Sequence, residues 1–474
     1  LTRRNKAIQE NSRKNALMAG FPSQSMKRFL QVLISNNYTV VLIEQTTPPP
    51  NPKREITKII SPGTYIDEVK NNDANYIVSV LISEGKCYKT NMIQYSIGLS
   101  SIDLTTGKST VYELYSCRND EKVMFEEVYR YIESFSPREI IIIPYNMNYL
   151  SREDILSYIN TENRKIHYID KFNLHLSKIS YQNEFLNRVF PDVSVLTPIE
   201  YLNLEKMPNT TLSYIHLLQF SYEHDNRIIE KIEKPNLWEK QSHMVLYNNS
   251  IYQLNIISCH QDKDNPTKYR SLYDVIKFTE TPMGSRKLKY NLLNPIKDID
   301  QLNKRYNMIE EFMENNLYME LHSKLKEIND IERLHRKMAL GSLHPYEFYG
   351  LDFSYRNISS IVDTLDQKNI LNENFNFNIE RELNTIFPEF VKYYDDIFII
   401  EEMSKNNLNN IYSSFFKKGY NSKLDKTVDV ITSSKEMLQD IATTLSNFIE
   451  SGSDFLKVEH TDKEGYYLQC TKKR

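Results

Sequence analysis

Residues 424–449, LDKTVDVITSSKEMLQDIATTLSNFI, carry a seven-residue repeat that decides how the second half of the chain folds. The repeat has two columns, Leu424–Ile431–Leu438–Leu445 and Val428–Lys435–Ala442–Ile449. Two such columns over four heptads predict one long helix that packs on a partner. At 1.5 Å per residue it would reach roughly 40 Å, a length typical of an arm. The partner could be another copy in an oligomer or, as we favour, a returning helix of the same polypeptide that we expect to be cut off from this sequence.

The sequence is helical before this segment and strand-like after it. From about residue 210 the apolar residues recur at steps of three and four, which predicts helices. Thr281 followed by Pro282 is typical of a helix start, with a capping residue and proline at the first helical position. Beyond Gly452, residues 455–458 and 465–471 have the composition of strands. The second half is therefore predicted to be helical, with an arm that ends in strands.

The first half alternates strands and helices. Residues 25–34 predict a helix and residues 38–43 and 53–60 predict strands, which together make a small α/β unit. Residues 65–74 are polar and acidic, as in a linker. Further strands are predicted at 76–83, 93–103, 108–114, 139–143 and 165–169, with helices at 121–135 and 152–159. This order predicts a mixed-sheet α/β domain that ends near residue 205.

The charge of the chain is unevenly distributed. The formal net charge is −3, so the chain is not a uniformly basic nucleic-acid coat protein. Residues 1–60 contain ten Lys or Arg and only three acids, so this segment carries +7 and the remainder −10. Contact with DNA would have to come from local patches of this kind. The alternative is an ordinary solvated face.

Several kinds of site have no sequence pattern here. The cysteines, Cys87, Cys117, Cys259 and Cys470, include no C-x-x-C pair, which speaks against a zinc knuckle and suits a reducing compartment. No glycine pair has the spacing of G-x-x-x-x-G-K-[ST], so ATP hydrolysis cannot be assigned to these residues. The histidines have no H-E-x-x-H spacing, and we expect no bound metal or cofactor in this chain. No apolar run suggests a membrane segment, so we expect an intracellular, soluble protein whose compartment is open.

Short motifs along the chain resemble the MutS family of DNA mismatch-repair proteins. They occur in the family's order at Leu1–Arg4, Met18–Pro22, Ile43–Gln45, Ser61–Thr64, Asp103–Gly107, Ser271–Asp274, Thr281–Arg286, Asn294–Ile296, Gly419–Asp425, Phe455–Val458 and Gly465–Tyr467. The stretches MAGFP at Met18–Pro22 and TPMGSR at Thr281–Arg286 are the most specific. The segment Lys463–Tyr467 resembles the same segment in the MutS branch found in giant viruses and octocoral mitochondria.

The resemblance implies a multidomain architecture of α/β and mainly α parts. The implied domains are a partial mismatch-recognition domain at 1–64, a linker at 65–74, an RNase H-like connector at 75–208, a helical core and lever at 209–425, and a lever arm with the start of the clamp at 426–474. By this reading the chain is a fragment that lacks the family's Phe-x-Glu wedge and its ATPase. We therefore expect weak mismatch discrimination and no ATPase activity. The full-length protein would use ATP and magnesium and form a homodimer or a MutS-family heterodimer.

The resemblance also assigns candidate DNA contacts. Arg4, Met18 and Arg54 match family positions that line the duplex. Lys472, Lys473 and Arg474 follow a predicted strand and could meet phosphates, although a solubilising chain end is an equal alternative. The implied partner is double-stranded DNA with mismatches, and no membrane is implied.

Two other functions remain open on the residues alone. An RNase H-like sheet can hold metal ions for nuclease chemistry, and Asp103 lies where such an acid would be, with Glu113, Glu126 and Glu127 as possible companions. Asp103 fits better as an acid that caps the following turn. The second alternative is a non-catalytic helical scaffold.

Overall fold

The structure, a computed structural model, describes residues 2–3, 10, 12, 15–22, 25–48, 50–66, 73–86, 93–116, 123–159, 164–193, 195–238, 243–244, 246, 250–257, 269–314, 316–368, 370, 385–408, 411, 413–449, 456–461 and 465–470. Contacts divide the chain into two units, Leu1–Leu343 and His344–Arg474. The chain is a mixed α/β protein with a mixed sheet and many helices, which confirms the predicted class at that level.

The first unit begins with a small α/β region. Its elements are strands β1 (Thr2–Arg3) and β2 (Leu17–Met18), helix α1 (Met26–Ser35), and strands β3 (Val40–Gln45) and β4 (Arg54–Ile60). Strands β1 and β2 pair with each other, and β3 pairs with β4 in an antiparallel hairpin. Leu30 and Ile34 lie one turn apart on α1 and bury against Tyr65, with Val40 and Ile60 packed beside them. The predicted helix and both strands are present, shifted by one to two residues.

A six-stranded mixed sheet forms the centre of the first unit. Its elements in chain order are β5 (Tyr76–Lys86), β6 (Ile93–Asp103), β7 (Lys108–Tyr115), α2 (Val123–Phe135), β8 (Glu139–Tyr145), α3 (Arg152–Tyr158), β9 (Lys165–Tyr168), α4 (Ile179–Val189), α5 (Pro198–Tyr201), α6 (Pro208–His224) and β10 (Asn236–Leu237). The strand order is β10-β7-β6-β5-β8-β9. Strand β6 is antiparallel to both neighbours, whereas β8 and β9 run parallel to β5.

Side chains of the central strands alternate between two cores, one on each face of the sheet. Ile77 and Leu81 of β5 point to the face covered by α6, and Val78 and Val80 point to the face covered by α2. Both faces are buried, which explains why β5 and β8 read as near-continuous apolar runs. The chain's single tryptophan, Trp238, packs in the core on the α2 side.

The sheet and its packing layers extend beyond the predicted boundary at residue 208. Helix α6 packs along β5 and β6, and β10 adds a parallel edge strand beside β7. The sequence placed α6 with the later helices because its periodicity is helical. However, most of α6 is buried on the sheet, as expected of a helix that is apolar on more than one face.

The remainder of the first unit is helical. Its helices are α7 (Ser250–Gln253), α8 (Leu272–Ile276), α9 (Pro282–Leu293), α10 (Ile299–Glu314), α11 (Leu317–Lys326) and α12 (Ile331–Ala339). The side chain of Thr281 accepts a hydrogen bond from the Gly284 amide at 3.0 Å, which confirms the predicted start of α9. Asp330 caps α12 by accepting from the Arg333 amide.

The second unit contains the long arm. Its elements are α13 (Pro345–Gln367), α14 (Phe387–Asp395), α15 (Ile400–Met403), α16 (Ser422–Ile449), β11 (Leu456–Thr461) and β12 (Gly465–Cys470). Helix α16 is continuous for 28 residues, about 42 Å, as the heptad pattern predicted. It packs against β11, which pairs antiparallel with β12. Ile431 and Leu445 of the heptad face are exposed, so the predicted partner helix does not cover them within the described part of the chain.

No helix in the described ranges is long and apolar enough to span a membrane.

Candidate nucleic-acid interface

Arg54 is the first residue of β4 and lies at the loop end of the β3–β4 hairpin. It pairs with Gln45 across the hairpin, and its side chain is exposed. The loop before it is closed by the Thr46 amide, which donates to the Lys53 carbonyl at 2.9 Å. The Lys53 amide donates in turn to Thr47 Oγ1 at 2.7 Å. These bonds fix the backbone of the loop just before Arg54, so the backbone positions of Lys53 and Arg54 are defined.

The cations on this hairpin differ in their partners. Lys58 forms an ion pair with Asp225 at 3.3 Å, so it is committed to the neighbouring sheet region. Among the described residues no carboxylate lies within 4.0 Å of the Arg54 guanidinium. Arg54 is therefore available for an external anion such as a phosphate.

Met18 lies in β2, where it pairs with Thr2, and the residue is 48% exposed. Nearby Phe21 stacks on Phe29 of α1 with ring centroids 4.7 Å apart. Met18 and Arg54 belong to separate two-stranded sheets and share no hydrogen bond. The structure thus exposes both candidates, each on its own pair of strands.

The other four predicted contacts, Arg4, Lys472, Lys473 and Arg474, lie outside the described residues.

The terminal hairpin presents a mixed aromatic and basic surface. Tyr466 is exposed on β12 and lies opposite His460 of β11, with ring centroids 4.6 Å apart. The Lys435 ammonium of α16 lies 5.4 Å from the Tyr466 ring. Tyr467 is half-buried, as the alternation of a strand predicts. Tyr466 therefore connects the hairpin to the arm through its contact with Lys435.

Asp103 caps the turn between β6 and β7. Its Oδ1 accepts from the Thr105 amide at 2.9 Å and from Thr105 Oγ1 at 2.6 Å, and its Oδ2 accepts from the Asn75 amide at 3.2 Å. The Gly107 amide donates to the Asp103 carbonyl at 2.7 Å, and Gly107 has a φ of +80°, which favours glycine. The carboxylate is buried and its oxygens are occupied, as expected of a turn-capping acid.

Two of the three possible metal-binding companions of Asp103, Glu113 and Glu127, have other partners. Glu113 accepts from the Tyr115 hydroxyl at 2.7 Å and from the Thr210 amide at 3.0 Å. Glu127 lies 3.5 Å from Arg130 on the same helix. Across the described ranges, no three His, Cys, Asp or Glu residues form a group that could hold a metal ion. These contacts give no support to the nuclease alternative.

Comparison with known proteins decides the family. A family model described as MutS domain I matches residues 1–69, and one described as MutS domain III matches residues 249–456. A DNA mismatch-repair MutS homologue of Acanthamoeba polyphaga mimivirus is 31% identical over 504 residues, covering 100% of this chain and 44% of that protein. DNA mismatch repair protein MutS of Caldanaerobacter subterraneus is 27% identical, covering 96% of this chain and 49% of that protein.

The chain belongs to the MutS family. It spans about half the length of the curated relatives that it matches. The mimivirus relative is in keeping with the predicted giant-virus branch, which itself stays a prediction. The domain I match contains Met18 and Arg54 of this MutS-family chain, and the domain III match contains all of α16.

Sequence reasoning missed the polar residues that join the small α/β region, the sheet and α12. Arg336 of α12 is buried, and its guanidinium donates to the carbonyl oxygens of Ile228, Glu230, Lys231 and Leu104 at 2.6–3.3 Å. Burial lowers its pKa to about 10, so it stays charged at pH 7. The only sequence signal is the spacing of Arg333 and Arg336 by three residues on one helix, which does not distinguish a buried pair from an exposed one.

Proposed function

We propose that this chain binds duplex DNA that contains a mispair and supplies DNA-contacting surfaces of a mismatch-repair protein. The observation that carries the proposal is the match of MutS domain I and domain III to the regions that hold the exposed β3–β4 hairpin and the long arm. The relatives are named as DNA mismatch-repair proteins, and the same role is proposed for this chain.

The chemistry of the first surface suits sequence-independent contact with a DNA backbone. Lys and Arg that reach phosphates displace condensed counterions, which gives affinity that falls as salt rises. Arg54 and Lys53 are exposed at one end of a rigid hairpin in a segment that carries +7. Met18 would add apolar contact beside the backbone, because its exposed side chain is flexible. Arg4 is proposed to belong to the same surface by its family position.

The second surface is proposed at the end of the arm. A helix of about 42 Å is long enough to carry the β11–β12 hairpin across a DNA duplex, whose major groove is about 12 Å wide. Lys472, Lys473 and Arg474 come directly after β12 in the sequence and are proposed to contact phosphates there. The arm and its hairpin would then act as the lever and clamp of the family.

The sheet region is proposed to be the family's RNase H-like connector. The order β7-β6-β5-β8-β9, with only β6 antiparallel to its neighbours, supports this proposal. We place the connector at about 73–238, because α6 and β10 pack with the sheet. The helical core would follow it, and no nuclease role is proposed for the connector.

The whole protein is proposed to couple ATP binding, with magnesium, to closure of a clamp as a homodimer or MutS-family heterodimer. The present sequence has no Walker A pattern, so no nucleotide contact is assigned to it.

The test is equilibrium binding of the chain to homoduplex and mismatched DNA between about 50 and 200 mM salt. Wild-type affinity should fall steeply with salt, and Arg54→Glu should weaken binding at the lower salt by about tenfold. The variant should also reduce the salt slope by about 1, as for one lost phosphate contact.

The matched control is Arg188→Glu, which reverses an exposed arginine on α4 in the sheet region. It should leave affinity within about twofold. Equal losses in both variants would show a nonspecific charge effect and reject the Arg54 contact. Binding that does not depend on salt would favour the scaffold alternative, and magnesium-dependent cleavage of the DNA would favour the nuclease.

A further inference from the structure

Asn75 lies just before β5 and contacts the turn that follows the DNA-contacting hairpin. It is 5% exposed. Its side-chain amide donates to the carbonyl oxygens of Pro62, Gly63 and Tyr65 at 3.0, 3.2 and 3.4 Å. An amide nitrogen has two hydrogens, so these three acceptors share them. One side chain thus holds most of the backbone of this turn against the sheet.

Glu139 secures the same turn from the start of β8. Its buried carboxylate accepts from Ser61 Oγ at 3.1 Å, from the Gly63 amide at 3.3 Å and from His167 Nε2 at 3.1 Å, with the histidine as donor. Burial would raise the pKa of Glu139, but these bonds outweigh it and lower the pKa. A β-carbon on Gly63 would lie 2.4 Å from Ile77, so only glycine allows this close approach.

The contacts that hold the turn at 61–65 on the sheet set the direction in which the β3–β4 hairpin extends. Ile60, the last residue of β4, is bonded directly to Ser61. Strand β4 runs from there to Arg54, with one register shift in its pairing between Lys58 and Ile56. A rotation of the turn would therefore move Arg54 at the far end of the strand.

A second set of bonds leads from Asn75 to α12. The Asn75 backbone amide donates to Asp103, whose other oxygen accepts from Thr105 Oγ1. Thr105 Oγ1 itself accepts from Arg333 Nε at 3.3 Å. Arg333 Nη2 also donates to the Asp73 carbonyl at 2.6 Å, two residues before Asn75. The chain of bonds is continuous from the turn to α12, and Asp103 and Thr105 are both 1% exposed.

Two further contacts stiffen the α12 side. Arg336, one turn after Arg333, donates to the Leu104 carbonyl in the same β6–β7 turn. Lys289 of α9 lies 3.6 Å from the Asp73 carboxylate. A buried polar group that loses its hydrogen-bond partner raises the free energy of the folded state. The network therefore favours one orientation of the turn and α12 over orientations in which some of these bonds are broken.

We propose that Asn75 is a positioning residue, at the centre of a three-way junction that couples the orientation of the β3–β4 hairpin to that of α12. A change at the helices would reach Arg54 through Arg333, Thr105, Asp103 and Asn75, and contact of the hairpin with DNA would act in the reverse direction. This inference deepens the proposed function and rests on it for its DNA readout, but its structural readout is independent of DNA.

The structural test uses double electron–electron resonance to measure the distance between two spin labels. The labels are placed at Glu55 of β4 and His335 of α12, both exposed positions. The labels are introduced as unnatural amino acids. Asn75→Ala and Thr105→Val should each broaden the distance distribution at least twofold relative to wild type. Thr105→Val keeps the side-chain shape and removes only the hydroxyl between Asp103 and Arg333, so it serves if Asn75→Ala does not fold.

The matched control is Asn357→Ala, which removes a half-buried asparagine whose side-chain amide donates to the Phe353 carbonyl within α13. It should leave the distribution unchanged, and Trp238 fluorescence should confirm that the sheet is folded in each variant. A narrow, wild-type distribution in both junction variants would overturn the proposal.

The DNA readout is a double-mutant cycle of Asn75→Ala with Arg333→Gln. If the junction transmits orientation, each change should weaken binding severalfold, and the double variant should bind no more weakly than the weaker single variant. Losses that multiply would show independent effects and reject the coupling. If wild-type binding does not depend on salt, the proposed function fails, and the distance measurement alone decides the junction.

Discussion

Gly98 of β6 lies directly beneath Asn209 at the start of α6. A β-carbon on Gly98 would lie 2.2 Å from the Asn209 carbonyl carbon and oxygen. Both partners are backbone atoms, so no side chain can move aside. The absence of a side chain at this one position allows α6 to reach the sheet, where it buries Leu212, Ile215 and Leu218.

We expect Gly98→Ala to separate α6 from the sheet and to lower the free energy of unfolding by about 3 kcal/mol. Urea unfolding followed by Trp238 fluorescence measures this directly, because the single tryptophan is buried in the sheet domain. Gly85→Ala is the control, since its nearest neighbour would be 3.9 Å away. Equal stability of Gly98→Ala and wild type would show that the helix does not sit where the structure places it.

Arg336→Lys should destabilise the first unit by about 3 kcal/mol, despite keeping the charge. A lysine has a single nitrogen and cannot replace the planar fork that donates to Ile228, Glu230 and Leu104 together. Arg188→Lys, at an exposed position, should change stability by less than about 0.5 kcal/mol. The two urea midpoints compare these effects, and similar midpoints would contradict the bonding described for Arg336.

Acidification should destabilise the sheet domain through His216 of α6. Burial lowers the pKa of His216 from 6.5 to about 4. The unfolded chain therefore takes up this proton at a higher pH than the folded chain does. Stability from the neutral histidine is complete above pH 6.5 and is lost as the pH falls towards 4, by about 1.4 kcal/mol per unit.

His216→Leu should remove this loss. Between pH 7 and 5 the wild type should lose about 2 kcal/mol more than the variant. His322→Gln, at an exposed position, should retain the wild-type loss. Parallel pH profiles for wild type and His216→Leu would exclude the buried histidine as the cause.

The sequence predicted best where one local pattern determines the structure. The heptads at 424–449 gave α16, and alternation with turn residues gave β3 to β9 to within a few residues. Thr281 was recognised as a cap because capping depends on neighbours three residues away.

The boundary after the sheet was harder, because it depends on contacts distant in sequence. Helix α6 looks like the helices that follow it, and only its packing on β5 and β6 assigns it to the sheet. No sequence pattern points to the buried roles of Arg333 and Arg336 for the same reason: their partners, Asp73, Thr105 and Ile228, are more than 100 residues away. Periodicity shows which face of α12 is polar but not whether that face is covered.

The last prediction concerns the contact between the terminal hairpin, β11–β12, and the long helix α16. Ala442 and Ser446 lie one turn apart on α16 and are each 1% exposed, unlike most of this helix. Ser446 Oγ accepts from the Leu456 amide at 3.0 Å, where β11 begins. Small side chains at these two positions therefore let β11 lie close to the helix.

Ala442→Leu should push β11 away from α16, because the added carbon atoms have no space at a fully buried position. Limited proteolysis should then cut the chain near the hairpin several times faster, and duplex affinity should fall if the hairpin contacts DNA. Thr443→Leu adds similar bulk at the next, exposed position and should cut at the wild-type rate. Faster cutting without any loss of affinity would support the contact between β11 and α16 but show that the hairpin does not contact DNA. Unchanged cutting would contradict the contact between β11 and α16.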